Sequence, residues 1–236
     1  MKQRVSFLAL IFVVATGVAC QEKTGDTPGV KPEGEQRLAN EVPDLQRENN
    51  KNAAGEDQLI EQAKKAFENR NLDEAIALFT RALPASKNPA ELHYSIGLCY
   101  GHKLMLDEAI AEFKKAIAIE PNHIKARNNL GLAYERKGLI DPALAEYKQA
   151  VKINPDYPQT HYNIARLYLV RRRQNPELDS LSADHYFRAG ELFLEQGNET
   201  GAVMAYNGLK QTKAKEREQE LYNKFTPELQ KKVTSK

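Results

Sequence analysis

Side chains that could carry out chemistry are sparse in this chain, and their spacing argues against catalysis. The five histidines, His93, His102, His123, His161 and His185, have no metal-ligand spacing. The sequence has no metalloprotease histidine pair, phosphate-cradling glycine loop, serine nucleophile elbow or cysteine-pair metal motif. His93 and His161 occupy the same place in a repeated unit, a place that ordinarily packs, so they read as structural imidazoles. Cys99 stands two residues after Gly97, where a small apolar side chain belongs, and reads as a buried, inert thiol. No enzymatic activity, cofactor or metal is expected.

What positions these residues is a unit that returns every 34 residues. Asp73-Glu74-Ala75, Asp107-Glu108-Ala109 and Asp141-Pro142-Ala143 lie at identical offsets in units starting at Glu56, Ala90 and Ile124. Small residues recur at the eighth place (Ala63, Gly97, Gly131), the twentieth (Ala75, Ala109, Ala143) and the twenty-seventh (Ala82, Ala116, Ala150). Such positions let two antiparallel helices approach closely. Aromatic bulk complements them at Tyr100 and Tyr134, and at Phe79, Phe113 and Tyr147. Pro121 and Pro155 end the second helix, because proline lacks a donor and clashes with the preceding turn. A unit of this length cannot bury its apolar face alone, so the units must stack into a solenoid.

These units resemble the tetratricopeptide repeat, which implies an all-α, right-handed α-solenoid of helix-turn-helix repeats. Clear units are expected at 56–89, 90–123 and 124–157, within a solenoid over 56–212. Beyond residue 157 the period slips. Residues 158–182 form a partial unit and 183–212 a degenerate one, whose start follows the last by 25 residues. Either the fourth unit keeps a short second helix around Glu177 to Leu181, or Ala183 to Glu195 fills that slot. Arg171-Arg172-Arg173 read as a helix C-terminus facing the helix dipole, with anion binding as the alternative. Residues 213–236 are expected to form a basic capping helix, with a start at Thr226-Pro227-Glu228.

In tetratricopeptide folds the first helices line the concave surface. The resemblance therefore implies a peptide-binding groove of Tyr94, Leu98, Lys125, Asn128, Asn129, Leu132, Tyr162, Asn163 and Arg166, with Ser95 beside them. Asparagine can pair with both a donor and an acceptor of an extended chain, while Tyr and Leu cover apolar side chains. Asn129 and Asn163 match an asparagine ladder that Ser95 and Glu61 interrupt. Lys125, Asn128 and Arg166 resemble a basic clamp on C-terminal carboxylates, from which Ile60 and Lys64 depart.

At the other end of the chain, Lys2 and Arg4 precede an uncharged segment from Val5 to Ala19. This reads as an export signal over 1–19, too short to span a bilayer comfortably. Thr16-Gly17-Val18-Ala19-Cys20 resembles the lipobox of bacterial lipoproteins, which implies a covalent lipid on Cys20. An ordinary secretory signal is the alternative. Residues 20–55 then hold the lipidated cysteine and a disordered tether, rich in charge and proline and without aromatics, with a reach on the order of 35 Å.

The chain carries 34 basic and 32 acidic side chains, a balance that excludes bulk nucleic-acid binding. The expected protein is an exported, membrane-anchored lipoprotein, on the outer membrane facing the periplasm in a Gram-negative cell. It would be a non-catalytic scaffold for a cell-envelope protein or peptide segment. A pilotin-like escort of pilus or secretin subunits and a regulatory partner of a peptidoglycan enzyme are the alternatives.

Overall fold

Helix starts follow local chemistry along the chain. Asn88 caps α3 (Pro89–His102), its Oδ1 accepting from the Glu91 amide at 3.2 Å, and Pro89 supplies a first residue that needs no partner. His123 caps α5 (Ile124–Arg136) through Nδ1, which accepts from the Ala126 amide at 3.2 Å. Proline opens α7 (Pro158–Arg171). Helices α2 (Leu72–Ala82), α4 (Leu106–Ile119) and α6 (Ile140–Ile153) have no side-chain cap. Acidic residues of the recurring triplets fill their first turns and oppose the positive end of the helix dipole.

The structure, a computed structural model, describes residues 55–234, which all lie in one compact unit. The export signal, Cys20 and the tether lie outside the described residues. A helix over 55–68 serves as α1. Helices α1 and α2 share one apolar cluster, α3 packs on α4, and α5 on α6. Helix α3 packs on α5, α5 on α7 and α7 on α9 (Glu199–Leu209), so these helices form one layer, the inner one. The described residues are helical throughout, with no strand among them.

Close approach within a pair is enforced by glycine facing an aromatic ring. A Cβ on Gly97 would lie 2.6 Å from the Phe113 ring, and one on Gly131 would lie 2.6 Å from the Tyr147 ring. Ala75, Ala109, Ala116, Ala143 and Ala150 are fully buried around these seams.

The paired layers are also tied along the turn edge. Asp73 accepts from Lys103, Asp107 from Lys137, and Asp141 from Arg171 at 2.6 Å. Arg172 pairs with Asp179 at 3.0 Å and donates to the Gln211 carbonyl. Arg171 in the last turn of α7 and Arg172 at its C-cap thus stand at a helix C-terminus, as expected, and also hold carboxylates.

After α7 the period is lost because one helix does two jobs. Helix α8 (Leu178–Glu195) is continuous. It lies against α7, where Ser182 Oγ donates to the Ala165 carbonyl at 2.8 Å, and also against α9 (Glu199–Leu209), where Gly201 abuts the Phe193 ring. The two alternatives are therefore parts of one helix: its first turns, with Leu178 and Ser182, pack on α7, and the same helix serves the following unit as well. The expected single capping helix is two, α10 (Lys215–Asn223) and α11 (Pro227–Thr234), broken where Thr226-Pro227 starts a new helix. Leu221 of α10, Phe225 between the two helices, and Leu229 and Val233 of α11 are buried with Tyr206 and Phe187, closing the end of the stack.

Candidate functional site

Inner-layer helices place the expected groove residues, and their surroundings divide them into two sets. Leu98, Asn129 and Leu132 come together in a cleft of about 180 Å³ between α3, α4 and α5, walled by Phe113, Leu106 and Ala133. Asn129 lies at its edge, donating to the Lys125 carbonyl at 2.9 Å and to the Tyr94 hydroxyl at 3.4 Å. Tyr94 is half-buried, with its ring 6.0 Å from Phe113 and 5.0 Å from His123. Burial, followed by the charges of Tyr157 and Glu91, pushes its phenol up to about 12, so it stays protonated. Lys125 is exposed beside this cleft. Ser95 faces a second cleft of about 160 Å³ between α1 and α3, with Leu98, Lys64, Phe67 and Phe79.

The remaining residues are engaged in joining repeats. Asn128 is 7% exposed, and its Oδ1 accepts from Thr160 Oγ1 at 3.2 Å and from Asn163 Nδ2 at 3.0 Å. Arg166 donates to Glu135 at 2.7 Å, an oxygen that also accepts from the Tyr147 hydroxyl at 3.2 Å. Tyr162 stands edge-on to Tyr186 with ring centres 5.6 Å apart. Of the clamp-like set, Lys125 projects to solvent while Asn128 and Arg166 are bound within the protein.

Two features were not legible in the sequence. At the cleft mouth, His102 and Arg136 join the lining, and Arg70 Nη1 approaches His102 Nδ1 at 3.5 Å. Their turns are distant in sequence and meet only when units stack; the 34-residue spacing was the available signal. Burial, then Arg70 and Arg136, hold the His102 imidazole below the usual histidine range. Likewise, His161 and His185 meet with Nδ1 atoms 2.9 Å apart, while His161 Nε2 donates to the Pro155 carbonyl at 2.8 Å. Burial lowers both imidazoles and favours their neutral forms, in which His161 Nδ1 accepts and His185 Nδ1 donates the shared proton. No group of three or more metal-binding side chains occurs among the described residues.

With this geometry in view, the family described as TPR repeat matches residues 106–138 and 140–169. No curated protein sequence matches the chain. Among solved structures, MamA protein is similar with a TM-score of 0.52 at 17% identity, over 78% of this chain and 93% of that one. A tetratricopeptide repeat protein from Parabacteroides merdae has a TM-score of 0.51 at 19% identity, over 76% of this chain and 72% of that one. The O-GlcNAc transferase of Thermobaculum terrenum has a TM-score of 0.52 at 18% identity, but 60% of this chain covers only 27% of that enzyme. At these identities the likeness is one of fold. Residues 106–138 and 140–169 carry tetratricopeptide repeats, and the described chain has the fold of a tetratricopeptide solenoid.

Proposed function

We propose that this protein is a non-catalytic scaffold that holds an extended segment of a cell-envelope protein on its inner helical layer, and that a lipid on Cys20 anchors it to a membrane. The observation carrying the binding reading is the cleft between α3, α4 and α5, where apolar Leu98, Leu132 and Phe113 adjoin the half-buried carboxamide of Asn129. An aliphatic side chain of a bound segment can enter the cleft while Asn129 meets its backbone. Support for the anchor comes from the uncharged Val5 to Ala19 stretch ending at Cys20. Several acyl chains would give stable attachment where one is marginal.

A site-specific photo-crosslinker at Asn129 tests the binding surface, with one at the exposed Gln149 of α6 as the control for the outer layer. Adducts to a defined protein from position 129 and none from 149 are expected. Adducts from 149 alone would remove binding from the inner layer. For the anchor, Cys20→Ala is expected to release the protein from membranes; retention in high salt would sink the lipoprotein reading.

A further inference from the structure

The cleft mouth carries positive charge that pairs with no carboxylate among the described residues. Arg70, just after α1, and Arg136, at the end of α5, flank the end of α3 and both act on its His102, and neither has a carboxylate partner among the described residues. Nearby carboxylates are engaged elsewhere: Asp73 with Lys103, Asp107 with Lys137, and Glu135 with Arg166. Arg136 instead donates weakly to the Gly101 carbonyl at 3.3 Å. Arg70 reaches His102 from a left-handed backbone at φ 64°, the conformation that Gly138 adopts at φ 77° two units later. Leu104, one unit on, adopts the same conformation at φ 61°, so the left-handed residue belongs to the recurring turn, and it is the 3.5 Å approach to His102 that places the Arg70 guanidinium beside the cleft. His102 is itself held by Phe67, edge-on with ring centres 5.2 Å apart.

We infer that the cleft selects a protein segment bearing an aliphatic residue next to an acidic one, the aliphatic side chain entering between Leu98 and Leu132 and the carboxylate meeting Arg70 and Arg136. This inference rests on the proposed binding of an extended segment, and names its chemistry. The recognising cations are Arg70 and Arg136, distinct from Lys125, Asn128 and Arg166, two of which are committed inside the fold. Two guanidiniums beside one imidazole, with no ion pair to either among the described residues, raise the local potential, and a carboxylate arriving there relieves their repulsion.

A phage-displayed library of random linear peptides, selected on the full chain, reads this specificity directly. Enriched sequences are expected to share an aliphatic–acidic pair. A fluorescein-labelled consensus peptide should lose about fivefold in affinity, by anisotropy, when its acidic residue is changed to the amide. Arg70→Gln with Arg136→Gln should abolish that discrimination while leaving circular dichroism unchanged, since both side chains are exposed. Enriched peptides that lack an acidic residue, or equal affinity for acid and amide forms, would overturn the inference; if their binding still depends on Asn129, the groove reading stands. No enrichment above background would overturn both.

Discussion

Lys137 donates to the carboxylate of Asp107 across the seam between the second and third units, thirty residues on in the chain. Asp73 with Lys103 and Asp141 with Arg171 repeat the rung at the same offset. The aspartates are largely exposed, at 86%, 80% and 79%, so solvent screens each pair. Removing one aspartate should cost about 0.5 kcal/mol. The triple variant Asp73→Ala, Asp107→Ala, Asp141→Ala should lose roughly the sum in urea denaturation at low salt. The deficit should shrink in high salt; a deficit independent of salt would mean the aspartates act through helix starts instead.

Phe113 fills the space that Gly97 leaves. Phe113→Ala should cost about 3–5 kcal/mol through the cavity it opens, and Gly97→Ala about 1–3 kcal/mol through overpacking. Because the two share one contact, Gly97→Ala combined with Phe113→Leu should cost less than the sum of the single changes. Urea midpoints of the four proteins measure the coupling, and strict additivity would deny it.

Adjacent asparagines should behave oppositely. Asn128→Ala leaves the buried Thr160 hydroxyl and the Asn163 amide without their acceptor, at a cost of about 1–3 kcal/mol. Asn129→Ala, at a half-buried edge, should cost under about 1 kcal/mol and weaken segment binding instead. Thermal melts alongside anisotropy separate the two, and similar melting losses at both positions would show that Asn129 is structural.

The His161–His185 contact should make stability fall in mild acid. Burial first, then the neighbouring His161 and Lys148, lowers His185 to about 4, while burial is the main cause lowering His161. Lys148 on α6, Arg188 on α8, Asp156 before α7 and Tyr168 on α7 are the other groups facing the pair. With the folded pKa depressed below an unfolded value near 6.5, the unfolded state binds more protons between the two. Stability is full above about pH 6.5 and is lost as pH falls toward 4, by about 3 kcal/mol. His185→Asn keeps an N–H for His161 and should flatten the variant's own stability profile across that window, so that the native-minus-variant difference shrinks as pH falls from 6.5 toward 4. An unchanged pH profile would assign the loss to carboxylates.

Much of the architecture was legible before any coordinates, for a local reason. Glycine against an aromatic ring, proline after a helix and acidic residues in a first turn each act within one unit, and their recurrence every 34 residues identifies the solenoid. That Gly97 meets Phe113 and Gly131 meets Tyr147 follows from this pattern. What lies between units was not readable. Asn128 and Asn129 are neighbours of one residue type, yet the helix directs Asn128 into α7 and leaves Asn129 at the cleft edge. Arg70, His102 and Arg136 become one feature only when turns stack, and His161 meets His185 only because α8 serves two units where the period fails. Periodicity therefore determined the repeat and its interior, because those contacts lie within one turn or one hairpin of the chain. Tertiary structure alone decided which polar side chains are spent on the seams and which remain for a partner, because that choice depends on residues thirty or more positions apart sharing the same few ångströms.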